Sequence, residues 1–340
     1  MGFKMLLHND AGTISAIPYA VLTLVVFGLF LVGMGVVVDA LVDVDNSMMG
    51  GTTVTTPRPT ASPTPTPDPG QIAAGAEHAL HLLSDGTVEG MGYDSYGQAT
   101  PPAGLVATAI AAGEYHSLAI QEDGTVVGWG HNLFGQAAPP AGLVATAIAA
   151  GGYHSLAIRA DGTVVGWGYD DYGQATPPAG LTDVVAISGN VYHSLALCEN
   201  GTVVGWGRGN WGQVTPPAGL PRVVAIAAGG DHSLALLNNG TVVGWGGNEY
   251  GQISPPAGLT NVVAIAAGWG HSLALKSDGT VVAWGTDTDG QCTVPPGLTQ
   301  VVAIAAPPLG TYSLALKSDG TVVQWGQGLP QKPKPRGLGG

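Results

Sequence analysis

His271-Ser272-Leu273-Ala274-Leu275-Lys276-Ser277-Asp278-Gly279-Thr280-Val281-Val282-Ala283-Trp284-Gly285 is one of seven instances of a single pattern. His78, His116, His154, His193, His232, His271 and Tyr312 mark its start, at spacings of 38, 38, 39, 39, 39 and 41 residues. Each mark is followed by a short apolar run, then Asp-Gly or Asn-Gly, then a second apolar run. The second run ends at Met91, Trp129, Trp167, Trp206, Trp245, Trp284 or Trp325. Two apolar runs around Asp-Gly write a β-hairpin, and the two-residue reading of the turn predicts type I′ geometry with positive φ at both central positions. A fixed period of about 40 residues with β content predicts the blades of one propeller rather than seven separate domains.

The fifth unit predicts the blade in detail. Val223–Ala228 is a first strand, His232–Leu236 a second and Thr241–Trp245 a third; Gly251-Gln252-Ile253-Ser254-Pro255-Pro256 leads out along an edge, where Pro is tolerated. Apolar residues on both faces of a strand suit sheets packed between other sheets. The first unit begins inside its opening strand at Ile72, and the last lacks the Gly-Gln-x-x-Pro-Pro exit. The terminal units are therefore expected to meet and close a ring, which removes exposed edges. The 55 glycines of the 340 residues fit a chain made mostly of turns and close-packed strands.

Residues 1–10 form a short polar start. From Ala11 to Val38 no side chain is charged, and at about 1.5 Å per residue this run exceeds a hydrocarbon core of about 30 Å. Residues 11–46 are read as one hydrophobic helix, a membrane anchor crossing at 11–38. Lys4 before the run puts the N-terminus in the cytoplasm and the rest outside. A pilin-like assembly helix, suggested by Gly12-Thr13 and the early Pro18, and a cleaved signal are the alternatives. Residues 47–69, with Thr and Pro alternating from Thr55 to Pro69, form a semi-rigid polyproline stalk open to O-glycosylation. The propeller is expected over 70–328, with a Pro/Gly-rich tail at 329–340.

The formal charge of −13, with only Arg159, Arg208, Arg222, Lys276 and Lys317 as bases in the repeats, provides no patch to neutralise phosphates and excludes nucleic acid as a partner. Cys198 and Cys292 fall in different phases of the fourth and sixth units and are expected to be unpaired.

Ala-Ile-Ala-Ala-Gly-x-x-His-Ser-Leu-Ala-Leu, then the turn, then Trp-Gly-x-Asn-x-x-Gly-Gln, stands most clearly at residues 225–252. It resembles the repeat of the regulator-of-chromosome-condensation family, over about three quarters of the chain. The compact repeat with Pro-Pro exits is closest in style to the secreted bacterial branch that includes the type II β-lactamase inhibitory protein. The resemblance implies a seven-bladed propeller and a habit of binding proteins. The family's founder is a guanine-nucleotide exchange factor; no residues here match an exchange wedge.

The repeated histidines sit one per blade, so no two share an ion; they are read as held by backbone partners, with no metal and no cofactor. Neighbours such as His271 and Ser272 point to opposite faces of a strand and cannot form a catalytic pair. Asp287-Thr288-Asp289-Gly290 is a fragment of a calcium loop without its first acid or distal Glu. Positions that repeat hold the fold, so specificity is sought where they vary. One varied loop precedes the His position and offers Tyr115, Tyr153, Tyr192, Asp231 and Trp269. The other follows Trp-Gly and offers Tyr93, Asp94, Tyr169, Asp170, Asp171, Arg208 and Glu249. Aromatic anchors in rigid loops are the composition of recognition surfaces. Tyr96, Phe134, Tyr172, Trp211 and Tyr250 recur so regularly that they are read as packing the loop. The expectation is a non-catalytic, membrane-anchored, extracytoplasmic propeller binding a protein or a surface glycan. The alternative is a pilin-like subunit of a filament, self-assembling through its N-terminal helix.

Overall fold

The computed structural model describes residues 70–329; the expected N-terminal helix, stalk and C-terminal tail lie outside the described residues, apart from Leu329. Each repeat forms one three-stranded antiparallel sheet in sequence order, giving seven blades. Blade 1 comprises Gln71–Ala74, His78–Leu82 and Val88–Gly92; blade 5 comprises Val223–Ala228, His232–Leu237 and Val242–Gly246. The exit segment adds no fourth strand: its prolines lack an amide donor.

The alternation His-Ser-Leu-Ala-Leu in the second strand sets how blades stack. His and Leu point to the next blade, Ser and Ala to the preceding one. Thus Leu80 and Leu82 of blade 1 pack on Ala119 and Trp129 of blade 2. Leu80, Leu118, Leu156, Leu195, Leu234, Leu273 and Leu314 are completely buried, one per blade, each stabilising by roughly 2–3 kcal/mol. Large side chains against small ones bring the sheets close. The first strands converge on the axis, where Ile110, Ile148, Ile187 and Ile226 line a cavity of about 220 Å³.

The ring closes as the incomplete terminal repeats suggest. Tyr312 and Leu314 of blade 7 pack on Ala74 and Ala79 of blade 1, with Met91 against the cluster. The Tyr312 hydroxyl lies 2.6 Å from the Gly75 carbonyl oxygen and 2.8 Å from that of His78. Both cysteines are free, and burial pushes the Cys292 thiol up to about 12.

The hairpin turns correct the type I′ expectation. Leu83 N–H donates to Thr87 O and Gly86 N–H to Leu83 O, so three residues intervene rather than two. Only the glycine is left-handed (Gly86, φ 84°); none of the preceding Asp or Asn residues has positive φ. This is a type I turn followed by a left-handed residue, and the Asp serves by accepting: Thr87 N–H donates to Asp85 Oδ1 at 2.8 Å. Asn200 and Asn239 accept from Thr202 and Thr241 in the same way.

Candidate recognition surface

His78 Nε2 lies 2.9 Å from Ser117 Oγ in the next blade, and Ser117 Oγ donates to Gln98 O at 2.9 Å. Trp129 Nε1 donates to the same carbonyl at 2.9 Å. Since the hydroxyl hydrogen is committed to Gln98 O, the imidazole must donate through Nε2–H, leaving Nδ1 bare. The arrangement recurs from His116 to Ser155, His154 to Ser194, His193 to Ser233, His232 to Ser272 and His271 to Ser313. The immediate partner is therefore a serine of the neighbouring blade, and not the backbone expected from sequence. Burial lowers these histidines to about 3–4, so they are neutral. Both residues of every pair have no solvent exposure, and the serine proton is already engaged, so the pair is a fastening and not a nucleophile with its base.

Each sheet leaves two loops at one end of the blade: the one before the His position and the one after Trp-Gly. Backbone bonds tie them together, as from Tyr93 N–H to Glu77 O and from His131 N–H to Tyr115 O. On this face the rings of successive blades touch. Tyr93 meets Tyr96 and Tyr115, and Tyr96 lies 5.7 Å from Tyr115 and 4.7 Å from His131. His131 meets Tyr153; Phe134 lies 5.6 Å from Tyr153 and 5.0 Å from Tyr169; Tyr169 leads to Tyr172, and Tyr172 to Tyr192 at 5.4 Å. The Arg208 guanidinium ends the band, 5.8 Å from the Tyr172 ring centre and 5.2 Å from that of Tyr192. The contacts are edge-on or tilted, the arrangement ring quadrupoles favour.

Of the residues singled out from sequence, Tyr93, Tyr115, Tyr153, Tyr169, Tyr192 and Arg208 join this band. Asp231, Trp269 and Glu249 meet instead at a separate hollow beyond Arg208. Asp94 and Asp170 are clasps of their own loops: Asp94 Oδ1 accepts from Ala99 N–H at 2.7 Å, and Asp170 Oδ1 from Ala175 N–H at 2.6 Å. Asp287, of the calcium-like fragment, accepts from Cys292 N–H in the same manner. Asp171 is exposed beside Tyr169, whose hydroxyl it raises.

Sequence reasoning missed the residues that join the band together. Tyr96, Phe134 and Tyr172 link the rings of the band, Trp211 and Tyr250 line the hollow, and none of the five fills its loop: between 43 % and 54 % of each is exposed. Their backbone is what the loop uses, as Gln98 Oε1 accepts from Tyr96 N–H at 3.0 Å, which leaves the ring on the surface. Glu114, beside Tyr115 in the varied loop before the His position, is buried and accepts from the Tyr153 hydroxyl at 2.6 Å; burial raises its carboxyl, and its other oxygen has no partner.

The face is acidic. Lys276 and Lys317 pair with Asp278 and Asp319 at hairpin turns on the opposite side; Arg159 donates to Thr163 there, and Arg222 lies beside the turn at Gly201. Among the described residues Arg208 is thus the one base of the loop face, against Glu77, Asp94, Glu114, Asp170, Asp171, Asp231, Glu249, Asp287 and Asp289. Among the described residues no three His, Cys, Asp or Glu side chains converge to hold a metal ion.

Seven three-stranded blades, six of their junctions fastened by the same His, Ser, Gln and Trp set, make a propeller of one repeated unit. The model of the regulator of chromosome condensation (RCC1) repeat matches residues 107–136, 145–174, 184–213, 223–252 and 262–291, and the chain belongs to that repeat family. A comparison with curated proteins finds no match. Among solved structures, the ectodomain of the Physcomitrella patens receptor kinase CR4 is similar at 25 % identity, covering 76 % of this chain and 73 % of that one, with a TM-score of 0.64. The CRINKLY WD40 ectodomain of the Arabidopsis thaliana receptor kinase ACR4 is similar at 23 % identity, covering 76 % and 94 %, with a TM-score of 0.65. Yeast RCC1 (Prp20), solved bound to Kap60, is similar at 17 % identity, covering 73 % and 81 %, with a TM-score of 0.61.

Proposed function

We propose that this propeller is a non-catalytic module that binds a protein through the aromatic band of its loop face. The observation that carries the reading is the continuity of half-exposed rings across blades 1 to 4. Nothing in the fold requires it, since the loops are already closed by Gln and Asp or Asn bonds to the backbone. Exposed aromatic surface of this extent marks interaction sites, and Tyr on rigid loops contributes contact area at low entropic cost. The acidity of the face favours a partner with a basic surface. That similar propellers include a receptor-kinase ectodomain and a complex with Kap60 supports binding as the use of the fold.

The test is photo-crosslinking in the native setting, with a benzophenone amino acid placed at Phe134 on the band or at Val144 on the opposite face. A protein adduct specific to position 134, lost on Tyr96→Ala and Tyr172→Ala, is the expected result. Equal adducts from both positions, or an adduct with glycan alone, would overturn the reading.

We further propose that the propeller is displayed outside a membrane, with residues 11–38 as anchor and 47–69 as stalk, on the strength of the uncharged run and the Pro-Thr spacer. N-terminal sequencing and intact mass of the membrane fraction check this. A start at Met1 is expected. A start at Thr13 would replace the anchor with a pilin-like assembly helix.

A further inference from the structure

Beyond Arg208 the aromatic band stops and is replaced by a hollow of about 110 Å³ lined by Trp211, Asp231, Gly247, Glu249, Tyr250, Gln252 and Trp269. Its origin is visible by comparing equivalent positions. The residue after Trp-Gly is Tyr93, His131 and Tyr169 in blades 1 to 3 (with Met91 in place of Trp in blade 1), but Gly247 in blade 5. The residue before the His position is Tyr115, Tyr153 and Tyr192 in blades 2 to 4, but Asp231 and Gly270 in blades 5 and 6. Beyond Arg208 these two positions have lost their rings, while a third position keeps its own. Trp211 and Tyr250 occupy the same position as Tyr96, Phe134 and Tyr172, and Trp269 supplies a third wall, its ring lying against Gly230.

One of the lining residues, Asp231, carries a carboxylate oxygen without a donor. Asp231 Oδ1 is buried and has no hydrogen-bond partner. Arg208 and Glu249 are the charged groups that bear on it, and Arg208, committed to the Tyr172 and Tyr192 rings, makes no ion pair with it. Burial raises the Asp231 carboxyl, the effect expected of a charge held out of water. Glu249 stands exposed at the rim. Aromatic walls attract a cation through their faces, and an unpartnered buried carboxylate oxygen needs an N–H donor. A quaternary ammonium meets the first condition but has no hydrogen to meet the second.

We propose that this hollow receives the N–H-bearing cationic end of a lysine or arginine side chain carried by a protein partner. The partner rests on the protein-binding reading above; the cation site itself does not, and the experiment separates them. The full-length chain in detergent, ¹⁵N-labelled, is titrated with n-butylammonium, n-butylguanidinium and tetramethylammonium, following the indole N–H resonances of Trp211 and Trp269. The first two ions are expected to shift both resonances saturably. Tetramethylammonium is expected to bind about tenfold more weakly, for want of a charge-assisted hydrogen bond. Asp231→Asn, which keeps the shape, should weaken butylammonium about tenfold, and Glu249→Gln about threefold, without lowering Tm. Absence of a saturable shift, tetramethylammonium binding as well as butylammonium, or an unchanged affinity in Asp231→Asn would each overturn the proposal. Cation binding without any protein adduct at Phe134 would leave the hollow a cation site and remove the protein partner. Adducts without cation binding would remove the hollow and leave the band.

Discussion

Six of the blade-to-blade seams are fastened by the same set of side chains, and the seventh, where the last blade meets the first, uses none of them. At the six, a His of one blade donates to a Ser of the next, which shares a Gln carbonyl with a Trp. At the closing seam blade 1 carries Ala79 in place of Ser and Met91 in place of Trp. Blade 7 carries Tyr312 in place of His, and its repeat lacks the Gly-Gln exit that would supply the carbonyl. The substitutions are coherent. Without the carbonyl, a Ser or Trp would be a buried donor with no acceptor, at about 1–3 kcal/mol each. Tyr312 instead reaches the Gly75 and His78 carbonyls and fills the space with its ring. Buried polar groups in this fold are gained and lost as a set.

The comparison is broken most severely by acid. The six seam histidines have folded values of about 3–4, below the ordinary 6.5. Below pH 6.5 the unfolded chain takes up protons there that the folded chain refuses until about pH 4. Their stabilisation is therefore complete above 6.5 and is lost as pH falls through this window. Each site contributes about 1.4 kcal/mol per pH unit, and the six together about 8 kcal/mol per pH unit. Against a domain stability of about 5–15 kcal/mol, the propeller should unfold cooperatively near pH 5. Circular dichroism between pH 8 and 4 measures it. His193→Tyr with Ser233→Ala takes the titrating pair out of one ordinary seam while leaving Trp245 on the Gln213 carbonyl, and should remove one proton from the slope. An unchanged slope would mean that the histidines titrate while folded.

Next in size is the closing seam itself. Tyr312→Ala empties a fully buried site and should cost about 3–5 kcal/mol in urea unfolding, whereas Tyr312→Phe should cost only about 1–2 kcal/mol. Smaller again is a pair of opposite exchanges. Ser194→Ala strips His154 of its acceptor and should cost about 1–3 kcal/mol. Ala79→Ser, the reverse exchange at the closing seam, should also destabilise by about 1–3 kcal/mol, since no His and no Gln carbonyl await it. A stabilising Ala79→Ser would show that the seventh seam is merely incomplete.

Much of this architecture was legible in the sequence because period, turn and alternation are local. His232, Asn239-Gly240 and Trp245 place the second and third strands of blade 5 correctly, and the missing exit foretells the ring closure. The turn type was not legible from Asp-Gly alone, because only the bond from Leu83 N–H to Thr87 O distinguishes a three-residue loop from a two-residue one. The serine partner of each histidine was hidden by distance: adjacent His and Ser diverge, while residues 39 apart meet, as His78 meets Ser117. The surface rings were misread for a different reason. Regular recurrence of Tyr96, Phe134 and Tyr172 shows that a position is used in every blade, but not whether it faces core or water. The usable signal was that Gln and Asp or Asn already close the loop, leaving a ring beside them with nothing to fill.

The smallest effect on stability belongs to that band, and it sharpens the contrast between seam and face. Tyr172 touches Tyr169 and Tyr192 and carries Arg208, yet 47 % of it is exposed. An edge-to-face pair is worth about 0.5–1.5 kcal/mol, and a half-exposed ring has already kept much of its contact with water. Tyr172→Ala should therefore cost no more than about 1 kcal/mol in urea, less than Ser194→Ala, although it removes far more atoms. Its effect should appear instead in crosslinking from Phe134, which a seam variant that still folds would leave intact. If Tyr172→Ala proved as destabilising as Ser194→Ala, the rings would be brackets between blades, and recognition would have to be sought elsewhere on the loop face.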